Sequence, residues 1–244
     1  MTRELVPTPM HFSPMLLSPG DLLPLALLGA VLGLDVVSFP QAMISRPVVA
    51  ATVSAAFLGH AGHGLLVGVV LELIALETLP FGASRYPEWG SASVVGGALF
   101  AASGTSIHRG ALAVAVLAAL ATAWVGGVSM VWLRRLNARW ARARLEAVER
   151  GSGRTVMGLQ VAGLTADLVR GGVLTALALA ALAPLAGLAL SHWGARADVS
   201  RAFVVSVAAT VAAGAAWKLF HQTRGARWYF LGGLAVGFAL LGLR

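Results

Sequence analysis

Few side chains in this chain can do chemistry, and most of those lie inside apolar stretches. Glu72 falls in Gly64–Leu79, a run that is apolar except for Glu72 and Glu77. A carboxylate at the centre of a membrane segment costs about 2.5–3.5 kcal/mol on insertion scales, so it must meet a polar cavity or a partner. Gly64, Gly68 and Glu72 recur every four residues and share one helix face. Small residues mark the packing face of a membrane helix, which turns Glu72 towards protein. It either lines a polar cavity or pairs with a distant arginine, and we expect the first because intramembrane ionisable groups are functional by default. Glu77 lies about 140° further around the helix, so the two are not a carboxylate pair on one face. It stands just before Leu79-Pro80 and reads as a solvated or structural end.

Asp35 comes late in the first apolar run, followed by Gln41-Ala-Met-Ile-Ser-Arg46-Pro47. Asp35 either pairs with Arg46 or joins Gln41 in hydrogen bonding a polyol. Carboxylate oxygens accept and amide NH₂ groups donate, which suits sugar hydroxyls. Pro47 disfavours a helical Arg46 and marks a chain break there. The pair His60 and His63 does not complete a metal shell, and its flanking glycines indicate a turn. Neither a phosphate-cradling glycine loop nor a Gly-x-Ser-x-Gly elbow occurs, so no site for covalent chemistry and no cofactor are expected.

The elements that must position these groups follow from composition. Of 244 residues, 58% are hydrophobic and 11% charged, against about 25% charged in a soluble domain. The apolar excess must face lipid. The 29 glycines fit close-packed membrane helices, and the lack of cysteine excludes a disulfide framework. The expected fold is all-α, a polytopic membrane protein of about seven to nine hydrophobic segments. Leu22–Phe39, Gly64–Leu79 and Gly110–Leu133 read as spans, with three more near 168–190, 199–220 and 228–243. Pro47–Leu58 and Ser91–Gly104 fall short of the roughly 20 residues a crossing needs and read as re-entrant or broken helices. Pro80–Gly90 is a polar break.

Four regions follow. Residues 1–20, with Pro7, Pro9 and Pro14 and no cleavage site, form an N-terminal arm. Residues 21–133 form a membrane region, 134–164 a basic loop with an amphipathic helix over Asn137–Glu149, and 165–244 a second membrane region. The formal charge of +8 sits largely in that loop, which has seven arginines between Arg134 and Arg154 against Glu146 and Glu149. Basic loops stay inside, so topology and contact with lipid headgroups explain the charge without nucleic acid. Alternation puts Ser191–Asp198 outside and the turn around Lys218, Arg224 and Arg227 inside.

The blocks Asp35…Gln41-Ala-Met-Ile-Ser-Arg46-Pro47-Val-Val-Ala, Gly64-Leu-Leu-Val-Gly68…Leu71-Glu72-Leu and Leu79-Pro-Phe-Gly-Ala resemble, in order and spacing, the IIC component of mannose/fructose/sorbose-type phosphotransferase systems. The resemblance covers residues 35–104. It implies a helical permease subunit in the inner membrane with re-entrant elements and a mobile core. It also implies an oligomeric complex with a IID-like membrane subunit, and a IIB protein, charged by IIA and HPr, that phosphorylates the emerging sugar. Gln41 and Glu72 match recurrent polar positions of the motif, and Asp35 and Arg46 match its flanks. The expected sugar ligands are Gln41, Glu72 and Asp35, with Arg46, Pro47, Gly64, Gly68 and Glu88 in structural or gating roles. The glycine-lined face would let a moving element slide. Two blocks depart from the family: Gly59-His60 stands where Gly-Asp is usual, and Gly82-Ala-Ser-Arg-Tyr-Pro-Glu88 replaces Gly-Ala-Ala-x-Pro-Pro-Asp, with Glu88 at its acidic end and Arg85 and Tyr86 inserted. Two further readings stay open: an ion- or proton-coupled transporter using Glu72 and Asp35, and a paralogue acting by interaction only.

Overall fold

A computed structural model describes residues 17–76, 86–103, 110–192 and 223–242, with scattered positions between 199 and 217. Glu77, the Leu79–Ala83 block, Arg85, most of the 1–20 arm and residues 193–198 lie outside the described residues. The elements are α1 (Pro19–Asp35), α2 (Pro47–Phe57), α3 (Ala61–Ala75), α4 (Trp89–Ala102), α5 (Ala111–Ala143), α6 (Leu145–Glu149), α7 (Gly153–His192) and α8 (Ala226–Gly242). No strand occurs among the described residues.

Local chemistry sets several boundaries. Ser18 and Asp21 form a reciprocal capping box, with the Asp21 amide donating to Ser18 Oγ at 3.2 Å and the Ser18 amide donating to Asp21 Oδ2 at 3.0 Å. Pro19 and Pro47 open α1 and α2 at the first turn, where their missing N–H costs nothing. Gly151 takes the left-handed conformation (φ +76°) that turns the chain between α6 and α7.

α5 and α7 are, among the described residues, the two helices long and apolar enough to cross a bilayer. The short helices sit inside the frame they make. Every residue of α4 from Trp89 to Ala101 is buried. Its Ala, Ser and Gly residues admit neighbours on all sides, so a helix of this length survives at the centre. α2, α3 and α4 all pack on one another, and α2 meets both of the others at backbone contact. A Cβ on Gly64 or on Gly97 would clash with the Ala51 carbonyl, and one on Gly68 would stand 2.7 Å from Val48 Cα. α1 runs antiparallel to α7, with Gly29 against Thr175, Gly33 against Gly171, and Ser38 bonded to Asp167. On the outside Leu23, Leu27 and Val31 of α1 and Leu177, Leu185 and Leu188 of α7 are exposed, which suits lipid and not water. This is an all-α polytopic membrane protein.

The long helices overrun the ends drawn from hydropathy. Arg134–Arg154 is not a loop bearing a separate amphipathic helix. α5 continues through Ala143, α6 adds five residues, and α7 is already helical at Gly153, fifteen residues before Leu168. The segment is the tip of an antiparallel helical hairpin. Hydropathy reports where lipid ends, while arginine and alanine sustain the helix beyond it.

Gly97→Leu forces α2 away from α4, an overpacking that costs about 1–3 kcal/mol or more. Fluorescence-detected size exclusion after heating should show a clear loss of the monodisperse species. Parental thermal stability would contradict the packing.

Candidate functional site

α2 opens on Arg46, which makes no side-chain cap of its own. The cap comes from α3. Glu72 Oε2 accepts from the Val48 amide at 3.2 Å, and Glu72 Oε1 forms an ion pair with Arg46 Nη2. Gly68, one turn earlier on α3, brings the carboxylate this close because it has no side chain to hold off Pro47 and Val48. A negative group at a helix N-terminus also meets the positive end of the helix dipole. The pair remains reachable, with side-chain exposures of 35% for Arg46 and 18% for Glu72. Glu72 is thus turned to protein, but towards an arginine 26 positions earlier, and Arg46 pairs with Glu72.

Asp35 does different work. It is 2% exposed, its Oδ1 accepts from the Ala42 amide at 2.7 Å, and its Oδ2 accepts from the Ser45 amide at 2.9 Å. One carboxylate therefore holds the 36–46 connection, which contains a cis Phe39–Pro40 bond and two non-glycine residues at positive φ, Gln41 (58°) and Met43 (62°). Gln41 is exposed, and its Nε2 donates to the Val37 carbonyl at 2.7 Å. Asp35→Asn puts an NH₂ group against one backbone N–H and loses at least about 1 kcal/mol, a factor of about five. Hydrogen exchange at the Ala42 and Ser45 amides should accelerate by that factor or more, and unchanged protection would refute the assignment.

A second polar centre joins α1, α4, α5 and α7. Arg170 Nε donates to Asp167 Oδ1 at 2.8 Å, and its Nη1 donates to Ser129 Oγ at 3.1 Å. Ser38 Oγ donates to the other Asp167 oxygen. Glu88, fully buried, caps α4 by accepting from the Ser91 amide at 3.1 Å, while its own amide donates to the Ala123 carbonyl at 3.0 Å. Gly126 and Gly127 of α5 leave the room for this, since a Cβ on Gly126 would meet Glu88 Cβ at 2.7 Å. Glu88 Oε2 and Arg170 Nη2 are buried and make no hydrogen bond. Sequence reasoning placed Glu88 in the altered 82–88 block but missed Asp167 and Arg170. The available signal was their i, i+3 spacing at the edge of an apolar run.

Tyr86 adjoins this centre under Arg134, whose guanidinium lies 5.3 Å from the ring centroid. His60 and His63 stack at 5.2 Å, and His63 meets Phe100 at 4.9 Å, so these rings pack together at the start of α3. Gln41 is not bonded to Glu72. The site is two polar centres, Arg46–Glu72 and Glu88–Asp167–Arg170, with Asp35 and its connection leading from α1 to α2.

Three comparisons bear on this arrangement. The profile of a family described as the PTS system sorbose-specific IIC component matches residues 21–243. The PTS system sorbose-specific EIIC component of Klebsiella pneumoniae is 33% identical over 119 residues, which are 49% of this chain and 43% of that protein. The match thus spans less than half of that relative's length. A solved structure titled "Structure of membrane protein" superposes with a TM-score of 0.66 at 18% identity, covering 93% of this chain and 92% of that one, a likeness of fold.

Proposed function

The chain belongs to the PTS sorbose-specific IIC family, and from that premise we propose that it is the membrane translocation subunit of a phosphoenolpyruvate-dependent sugar phosphotransferase system. It carries a hexose-type sugar across the cytoplasmic membrane. A IID-like membrane subunit completes the path, and a IIB protein recharged by IIA phosphorylates the sugar as it emerges. Phosphoryl transfer falls to those partners. The basic segment 134–164 faces the cytoplasm, a placement that the bias of arginine supports.

The observation that carries this reading is the Arg46–Glu72 pair. It is a charged, partly exposed centre at the N-terminus of an 11-residue helix within an apolar bundle. A guanidinium offers a planar fork of donors and a carboxylate offers acceptors, the two needs of vicinal hydroxyls. The Gln41 amide oxygen adds a further acceptor at the exposed connection. Both Asp35 oxygens serve backbone amides, so Asp35 positions Gln41 and Arg46 and does not itself meet sugar.

The test is uptake of labelled sorbose, fructose and mannose by cells holding the chain with its IID-like and IIB-like partners. The expected product is phosphorylated sugar inside, dependent on phosphoenolpyruvate and unaffected by an uncoupler. Uptake that collapses with an uncoupler and needs no phosphoryl donor would support an ion-coupled transporter instead. Retained binding to the IID-like protein without uptake of any of the three would leave an interaction-only paralogue.

A further inference from the structure

The helical hairpin reaches further than a membrane protein needs. α5 has 33 residues and α7 has 40, about 50 and 60 Å at 1.5 Å per residue. The hydrocarbon core is about 30 Å thick, and each headgroup layer adds roughly 5–7 Å. The apolar run of α5 ends at Leu133. From there Arg142 stands about 14 Å further along the axis, and Arg154 lies about 20 Å before Leu168 on α7. Arg134 and Arg135 are thus at headgroup level, while Arg142, Arg144, Arg150 and Arg154 lie past it. Because α5 and α7 run unbroken from the membrane, the tip cannot lie down on the bilayer. Lipid explains the inner arginines only.

The outer tip has the composition of a protein-docking surface. Arg142, Arg144, Arg150 and Arg154 are exposed, and among the described residues the only acidic ones close to them in sequence are Glu146, which pairs with Arg150 at 3.6 Å, and Glu149. Leu145, Val156 and Met157 are exposed in what is there an aqueous setting, at 52, 48 and 69%. Between the helices a cleft of about 560 Å³ is lined by Trp140, Arg144, Arg154, Thr155 and Leu159, among others. Aromatic, methionine and arginine side chains are the types enriched where proteins bind. Screening over a Debye length of about 8 Å weakens the pull of the headgroups from Arg142 outwards and leaves little of it at Arg154.

We propose that the hairpin tip is a docking surface for the acidic face of a soluble cytoplasmic protein, with the cleft taking an apolar anchor between Arg144 and Arg154. This rests on the proposed transport function, which supplies the partner of that kind: the soluble IIB subunit.

The experiment places the full chain in nanodiscs of phosphatidylcholine alone and measures binding of purified IIB protein by interferometry at 50 and 300 mM salt. The expected result is binding that weakens as salt rises, and that falls at least tenfold when Arg142, Arg144, Arg150 and Arg154 are all changed to Glu. A melting curve checks that the variant stays folded. Leu145→Ala with Met157→Ala, which leaves the charges intact, should weaken binding at both salt concentrations. Equal binding by parent and charge-reversed chain overturns the proposal. So does binding that appears only when phosphatidylglycerol is added, which would make the tip a lipid contact. Failure of the underlying transport reading is read separately, as uptake that needs no phosphoryl donor. Uptake that depends on IIB while IIB fails to bind the parent chain would place docking elsewhere.

Discussion

Glu72→Gln should abolish most sugar uptake while leaving the chain inserted and folded. The amide oxygen can still accept from the Val48 amide, so the N-terminus of α2 keeps its cap. The charge partner of Arg46 is lost. Hydrogen bonds to charged groups contribute about 1.5–3 kcal/mol, and every 1.4 kcal/mol is tenfold in affinity. Uptake at limiting sugar should therefore drop on the order of ten- to a hundredfold. Arg46→Met should do the same from the other side. Gln41→Ala, at an exposed position, should have a smaller effect. Parental uptake by a correctly inserted Glu72→Gln chain would remove Arg46–Glu72 from the transport path.

Asp167→Ala should be the most destabilising single change in the bundle. It leaves the Arg170 guanidinium, 9% exposed, without its carboxylate. Breaking a buried ion pair from one side costs about 3–5 kcal/mol, on the order of 10 °C in melting temperature for a protein of this size. Replacing both partners by apolar residues of similar volume is often neutral or stabilising. The double variant Asp167→Leu with Arg170→Met, made on a Glu88→Gln background so that no buried carboxylate is left without its cation, should accordingly melt within a few degrees of that background. If the double variant melts as low as the single, the loss comes from packing around Thr175 and Gly171 and not from the uncompensated charge.

The fold was largely legible because composition and segment length carry it. A chain this apolar must be a membrane bundle, and Pro47–Leu58 and Ser91–Gly104 are too short to cross by count alone. The structure keeps both as short internal helices. The helix ends at Ala143 and Gly153 were not legible, because the polarity that ends a span does not end a helix. The site was legible in part. The four-residue spacing of Gly64, Gly68 and Glu72 points to the face that meets α2, but no periodicity names a partner 26 positions away. Residue type alone makes Asp35 a ligand for hydroxyls. The structure gives its oxygens to the amides of Ala42 and Ser45, a role set by positive φ at Gln41 and Met43, which residue type does not announce. Asp167 escapes notice because the apolar run begins at 168, one residue past it; Arg170 stands inside that run, with its partner just outside it.

The placing of Ala51 has a mechanical consequence. Its carbonyl oxygen touches both Gly64 and Gly97, main chain to main chain. Side chains between helices act as springs, since they change rotamer and absorb a displacement. Here no springs are interposed, and close-packed backbone barely compresses. A push on α3 at Glu72 therefore arrives at α4 undamped, and the three short helices respond to load as one stiff slab.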